Sequence, residues 1–355
     1  MSQINVKQDD RYGRTISHAF VTGATGLLGN NLVKALIKKN IKVTALVRSL
    51  EKAKKQFGSL PVTCIEGDIL RPENFRASLT ECDALFHTAA FFRESHKGGN
   101  HWSELYETNV AGTKKLLQVA YEEGIRKVVH TSSIAVLQAE RDQMADETMS
   151  RGQDTKIDYY RSKILSEESV KQFLIDHPDM FVCFILPGFM FGPGDIGPTS
   201  AGQLIFNYVQ HKLPGITKSS YSIVDARDVA EIHISAMQFG RQGERYLAAG
   251  HYITMEDLVK LLEEVTGISR PRKHVPMFLV RVLAQWNELY HSLTKKPILI
   301  SNETVKIISE EYRRTNFSKE KTQKELGGQF RPIKETLADV VNWYQNNGYL
   351  DLSDH

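Results

Sequence analysis

The chain has 355 residues, 41% of them hydrophobic and 25% charged, enough to bury a large core as one big α/β unit or two domains. Its formal net charge of +3, with Lys and Arg interspersed among Glu and Asp, argues against an electrostatic nucleic-acid binder. The three cysteines, Cys64, Cys82 and Cys183, are scattered in no metal-ligand spacing, which fits a reducing cytoplasm and implies neither a disulfide framework nor structural zinc.

Residues 1–16 are polar, lack the apolar stretch of a secretory signal, and read as a tail before the first strand. His18 to Val21 form a strand leading into TGATGLLG, after which Leu28, Leu32 and Leu36 recur on one helix face that ends at Lys38, Lys39 and Asn40. Further strands are expected at Ile41 to Val47, Val62 to Asp68, Ala84 to Ala90, Lys127 to Ser133, and Phe181 to Leu186 with its stop at Pro187. A helix from about Glu104 to Glu123, closed by Gly124, separates the fourth and fifth. Six strands with helical crossovers predict an α/β fold, a Rossmann-type doubly wound parallel sheet over residues 17–187.

A smaller C-terminal α+β substrate-binding domain is expected over 188–355, with the chain crossing back to the Rossmann core around 222–240. PGFMFGPGDIGPTSAG reads as a long irregular segment and a place for a substrate loop. SIVDARDVAEIHISAM is a strand feeding a helix. In TMEDLVKLLEEVTG, Thr254 and Asp257 form a capping-box-like pair and Gly267 closes the helix. Leu337, Val340, Val341 and Tyr344 mark a last packed helix. No apolar run approaches the ~20 residues of a membrane span. The nearest, Val275 to Trp286, is interrupted by Arg281 and reads as a buried or groove-lining helix rather than a membrane contact.

The turn Gly23-Ala24-Thr25-Gly26-Leu27-Leu28-Gly29 lies between a strand and an apolar-faced helix. Glycines there let the backbone turn sharply and approach a pyrophosphate, while the helix N-terminus faces its charge. At the end of the second strand stands Arg48, where many NAD-binding proteins place an acidic residue for the ribose hydroxyls. A guanidinium there pairs instead with a 2′-phosphate, with Lys52 as a second cation, so NADP(H) is favoured and NAD(H) remains possible. In YYRSK, Tyr159 and Lys163 are four residues apart and share a helix face, so the ammonium can lie near the phenolic oxygen and stabilise a phenolate, whereas Tyr160 points elsewhere. The pair follows a strand ending in Thr131, Ser132 and Ser133, whose hydroxyls hang at the carboxyl edge of the sheet, where ligands of open α/β folds bind.

The order TGATGLLG, GDI, HTAA, TNVAGT, TSSIAV, YYRSK and PGFMFGPGD resembles the extended short-chain dehydrogenase/reductases, and within them the dihydroflavonol 4-reductase-like and hopanoid-associated sugar epimerase-like groups. The resemblance runs from about residue 17 to VVNWYQNNGYL. It implies that Tyr159 is the general acid or base, that Lys163 lowers its pKa and holds the nicotinamide ribose, and that Ser133 hydrogen-bonds the reacting oxygen, with Ser132 as the alternative one residue away and a cofactor contact. It further implies an adenine-side contact at Asp68 and Ile69, close approach to the pyrophosphate and ribose at Ala89 and Ala90, and a place near the nicotinamide ribose for Asn109, whose other reading is local backbone satisfaction. Pro187, Phe189 and Met190 correspond to the segment that orients the carboxamide. Substrate contacts are expected from Phe91, Phe92, Arg93, Phe191 and the Gly192 to Gly202 loop. His87, His96 and His101 have no metal spacing and read as core or surface histidines.

These features describe an NADP(H)-dependent reductase or dehydrogenase acting on a ketone, aldehyde or secondary alcohol of a small molecule, with a homodimer through the Tyr159 helix and its predecessor implied by the resemblance. The alternatives are a nucleotide-sugar epimerase or dehydratase with retained NAD, and a non-catalytic NADP-sensing regulator, against which the intact Ser133, Tyr159 and Lys163 argue. Association with a membrane of the 3β-hydroxysteroid type, through Val275 to Trp286, is the remaining alternative.

Overall fold

The computed structural model describes residues 15–92, 101–294, 298 and 300–352. The first half alternates strand and helix: β1 (His18–Thr22), α1 (Leu27–Lys38), β2 (Lys42–Val47), α2 (Leu50–Phe57), β3 (Thr63–Glu66), β4 (Ala84–His87), α3 (Trp102–Tyr106), α4 (Thr113–Glu122), β5 (Lys127–Thr131), α5 (Asp158–Asp176) and β6 (Phe181–Pro187). The second half runs β7 (Phe189–Phe191), α6 (Ser200–Val209), β8 (Ser220–Asp225), α7 (Ala226–Phe239), β9 (Arg245–Ala248), β10 (His251–Thr254), α8 (Met255–Thr266), α9 (Met277–Thr294), α10 (Asn302–Glu311), α11 (Glu320–Leu326) and α12 (Ile333–Asn346).

A seven-stranded parallel sheet in the order β3-β2-β1-β4-β5-β6-β9 forms the centre, with helices on both faces, a Rossmann-like α/β fold. Strand alternation divides its side chains between two cores. Along β6, Phe181, Cys183 and Ile185 join α1 and α7, while Val182, Phe184 and Leu186 join α4 and α5. Strand order reverses between β1 and β4, so the crevice at the carboxyl ends of those strands is the topological switch point.

The seventh strand was beyond the six-strand reading. It comes from residues 245–248, after α7 has packed beside α1 on the face of the large sheet. A second sheet, β10-β8-β7, pairs β8 with β7 in parallel and with β10 antiparallel. It packs with α6, α8 and α12 around Phe191, Ile205, Leu258, Leu262, Leu337 and Tyr344. The segment read as irregular thus begins as a strand, because Phe189 to Phe191 find an edge to pair with in β8. Local signals elsewhere match the termini: the Thr254 hydroxyl accepts from the Asp257 amide, and Gly267 closes α8 at φ +74°. The expected helix around 104–123 is divided into α3, a π-helical segment Glu107–Gly112 and α4. No hydrophobic period announces such a widened turn.

Gly250 joins the two sheets between β9 and β10. It sits at φ +80°, and a Cβ there would lie 1.9 Å from the Ile223 carbonyl oxygen. Gly250→Ala is therefore expected to lower unfolding free energy by more than about 2 kcal/mol in urea titration, and an unchanged midpoint would refute this account.

Candidate active site

The crevice begins at the turn after β1. Gly23 has φ +65°, and a Cβ on it would come within 2.7 Å of the Ala89 amide nitrogen, so only glycine lets this turn abut the end of β4. A Cβ on Gly29 would fall 2.2 Å from the Gly23 carbonyl oxygen, which ties the turn to the first turn of α1. No side chain caps α1 at Gly26. The open end of a 12-residue helix, against backbone that no Cβ could share, suits the pyrophosphate of a dinucleotide. Thr25 is half-buried there and Leu27 and Leu28 are buried, Leu28 in the sheet core.

Beneath the turn, Thr22 accepts from the Ala89 amide at 3.2 Å and contacts His87 Nδ1 at 2.8 Å, while His87 Nε2 meets Thr113 at 2.9 Å. Burial first, and Lys163 second, depress His87 to about 3, so it is a neutral connector of β1, β4 and α4. The loop after β7 is fastened to α1 and α2 by buried amides: Asn30 and Asn31 of α1 donate to the Gly194 and Pro193 carbonyls at 3.3 and 3.0 Å, and Gln56 of α2 to Gly194 at 2.9 Å. Arg48 and Lys52 are exposed at the ends of β2 and the start of α2, respectively. Asp68 is exposed and accepts from the Leu70 amide, and Ile69 is buried.

Ser133, Tyr159 and Lys163 come together where β5 ends beside the first turns of α5. Tyr159 and Ser133 line one cavity, and the rings of Tyr159 and Phe92 meet at right angles with centroids 4.7 Å apart. Ser132 is turned away: its hydroxyl donates to Glu167 at 2.9 Å, so the two neighbouring serines point to different surroundings. Lys163 is buried, and its ammonium donates to the Thr131 carbonyl at 2.8 Å. Thr131 is itself held through its hydroxyl, 2.8 Å from His233 Nε2. Desolvation lowers Lys163 to about 8, and Glu167, one turn along α5, opposes that shift. Burial pushes the Tyr159 phenol above its ordinary value, with the Ser133 hydroxyl opposing. The expected lowering of Tyr159 by Lys163 is thus not a feature of this geometry, because the ammonium's hydrogen bond goes to backbone.

Asn109 takes the local reading. Its Oδ1 accepts from the Phe91 amide at 2.7 Å, and its Nδ2 donates to the Phe91 carbonyl and to Ser162, both at 3.0 Å. It clamps the segment after β4 to α5 from within the π-helical turn. Tyr160 faces Arg151, whose guanidinium lies 4.6 Å from the ring centroid. Arg151, missed in the sequence, donates to the Ala135 and Leu137 carbonyls at 2.9 Å each and pairs with Glu311 at 2.8 Å, so it fixes the turn after Ser133 and ties it to α10.

The cavity, of about 350 Å³, is bounded by Phe92, Ser133, Tyr159, Phe189, Tyr221 and residues of α6, α9 and α10. Phe189 belongs to it and stacks on Tyr221 at 5.3 Å, Ala90 is exposed and Met190 packs on the sheet core. Two expectations change. Phe191 is buried in the second core rather than facing the cavity, and Phe91 is held by Asn109 outside the lining. Of the Gly192 to Gly202 loop, Ser200 reaches the cavity. Arg93 and His96 lie outside the described residues. The contribution of α10 was unread, although Ser301, which accepts from the Thr304 amide, is a local helix-start signal. Among the described residues, no group of three His, Cys, Asp or Glu side chains could hold a metal ion.

A dinucleotide cradle at the switch point of a parallel sheet, with serine, tyrosine and lysine at the next strand end, defines a class of nicotinamide-cofactor proteins. The chain belongs to the NAD dependent epimerase/dehydratase family, whose pattern matches residues 19–249. A dihydroflavonol 4-reductase-like protein of Synechocystis sp. is 31% identical over 337 residues, covering 93% of this chain and 95% of that protein. Sterol demethylase protein B of Methylococcus capsulatus is 31% identical over 338 residues, covering 93% and 99%. The crystal structure of gox2253 superposes with a TM-score of 0.80 at 28% identity, over 94% of this chain and 100% of that one. Yeast methylglyoxal/isovaleraldehyde reductase Gre2 complexed with NADPH shares the fold, at a TM-score of 0.69 and 21% identity over 94% and 100% of the two chains.

The buried Lys163 makes stability depend on pH. Its folded-state value, about 8, is below the ordinary 10.5, so between those values the unfolded chain holds the extra proton and stability rises with pH. The unfolding free energy of wild type minus that of Lys163→Met should increase from pH 8 to pH 10 by about 2 kcal/mol. A flat difference across that window would contradict a desolvated ammonium.

Proposed function

We propose that the chain is an NADP(H)-dependent reductase or dehydrogenase that interconverts a ketone or aldehyde and an alcohol on a largely apolar small molecule. The observation that carries this reading is the cavity itself. It presents the Ser133 hydroxyl and Tyr159 phenol on one wall, and none of the described residues lining it is Lys, Arg or His. A nucleotide-sugar diphosphate would need cationic partners, so the lining favours a reductase substrate over an epimerase one. Reductase relatives, including a cinnamoyl-CoA reductase of Petunia hybrida that is 27% identical over 94% of this chain and 93% of its own, point the same way.

In this reading the cofactor supplies or accepts hydride. Tyr159 gives its proton to the carbonyl oxygen as that oxygen gains charge, and takes it back in the oxidative direction. Ser133, whose own oxygen accepts from the Ala135 amide at 3.1 Å, has its hydroxyl proton for the same substrate oxygen. Lys163, charged below pH 8 and held by the Thr131 carbonyl one helical turn from Tyr159, is the partner for the nicotinamide ribose hydroxyls. Asn109 and Arg151 hold the two loops that carry these groups and do not themselves touch the reacting atoms. Exposed Arg48, with Lys52, is the partner for a 2′-phosphate.

With NADPH and a panel of apolar ketones followed by nicotinamide absorbance, Tyr159→Phe should lose roughly 10²- to 10⁴-fold in kcat while cofactor affinity stays within about twofold. Retained turnover would remove Tyr159 from this role. Arg48→Ala should erase a preference for NADPH of about tenfold or more, and a wild type indifferent to the two nucleotides would overturn the assignment of Arg48.

A further inference from the structure

The outer face of α9 has no counterpart elsewhere among the described residues. Seven of the thirteen large hydrophobic side chains exposed among the described residues lie on this one helix. At 100° per residue, Phe278, Val282, Trp286, Leu289, Tyr290 and Leu293 form a continuous stripe, with Trp286 at 66% and Leu293 at 78% exposure. Leaving such a stripe in water is unfavourable, and single exposed leucines do not explain it.

The opposite face of the same helix lines the cavity through Val280 and Leu283. The core beneath it is thin. Val280, Ala284 and Val305 are its only fully buried members among the described residues, backed by Val275, Met277 and Ile300. Helix α9 therefore separates the cavity from the exterior by one layer of apolar side chains, in a part of the fold with little packing to hold it closed.

Charge identifies the occupant. Residues 270–294 carry Arg270, Arg272, Lys273 and Arg281 against Glu288 alone, an excess that equals the formal charge of the whole chain, +3. Arg270 and His274 are engaged with Glu263 and Glu256 at 3.5 and 3.6 Å, whereas Arg272, Lys273 and Arg281 are exposed at the start and flank of the stripe. A second copy would bring the same cations together across a two-fold axis, which is repulsive. Anionic headgroups beside acyl chains satisfy both the cations and the stripe, and indole and phenol rings such as Trp286 and Tyr290 suit that boundary.

We propose that α9 seats this protein on an anionic lipid surface, lying in the plane of the interface, and that an apolar substrate reaches the cavity past this helix. The seating is independent of the chemistry assigned to Tyr159; the route rests on that assignment. The helix does not span the bilayer: no helix among the described residues is long and apolar enough to do so.

The test uses the full chain with vesicles of phosphatidylcholine alone or mixed with phosphatidylglycerol, read by co-sedimentation and by light scattering of the protein alone. Binding to the mixed vesicles that falls with salt, and that weakens roughly tenfold or more in Trp286→Glu/Leu289→Glu, supports the seating. Arg272→Gln/Lys273→Gln, which leaves the stripe intact, should weaken binding to mixed vesicles only. Absence of binding, or binding indifferent to both variants, overturns it, as does a concentration-dependent dimer that the Trp286→Glu/Leu289→Glu change dissolves. Both variants should bind NADPH as the wild type does, which shows that they fold. If the vesicle results hold, substrate presented in vesicles should show a raised KM in the stripe variant with an unchanged kcat on a water-soluble ketone. An unaltered KM would reject the route while leaving the seating, and failure of every ketone would reject the chemistry alone.

Discussion

The site depends on burying one ammonium group. Lys163 lies almost entirely out of water, where an isolated cation is costly, and the surrounding structure is arranged around it. The Thr131 carbonyl accepts its proton, and His233, buried and depressed to about 4, fixes the Thr131 hydroxyl from behind. Glu167 adds a buried negative charge one helical turn away, balanced in turn by Arg245 at 2.5 Å and Lys171 at 2.7 Å and by the Ser132 hydroxyl. His87 and His130, in the same interior, are kept neutral mainly by burial, so they add volume without competing charge. A cation is thereby held at the end of β5 at a value near 8, charged at neutral pH yet weakly solvated.

That arrangement requires the doubly wound sheet. β5 places Thr131 and Ser133 on either side of its end, while α5, crossing over to β6, brings Tyr159 and Lys163 to the same edge at one-turn spacing. The adjoining crevice between β1 and β4 exists because glycine at position 23 admits Ala89 so closely. The two halves of the site are coupled through shared elements: Thr113 opens α4 against His87, and Asn109, one turn earlier, secures Phe91 to α5. Substrate space is supplied from the other half of the chain, so cofactor cradle and cavity are built by different segments that meet at Tyr159.

Much of this was legible because it is written in local chemistry. The glycine spacing, the β-branched runs, the hydroxyls after β5 and the one-turn separation of Tyr159 from Lys163 are short-range patterns with direct physical meanings. The seventh strand was not, since Arg245 to Ala248 is only four residues long, too short for a hydrophobic period to mark it; only pairing with β6 makes it part of the sheet. The π-helical turn at Asn109, the capture of Phe191 in the second core and the bracing of the Ser133 turn by Arg151 are likewise long-range outcomes. Tyr159 illustrates both levels, as its place beside Lys163 follows from helix geometry but its raised value follows from burial.

By itself the sequence determined the alternating α/β architecture, the glycine turn suited to a pyrophosphate and the one-turn spacing of Tyr159 and Lys163, because each rests on contacts between residues a few positions apart or on the periodicity of one element. Only the tertiary structure decided which serine faces the cavity, that Asn109 serves the backbone, and that α9 turns one apolar face inward and leaves the other bare. Those properties depend on which surfaces meet. A helix apolar around much of its circumference reads as buried until the fold shows that it has a neighbour on one side only.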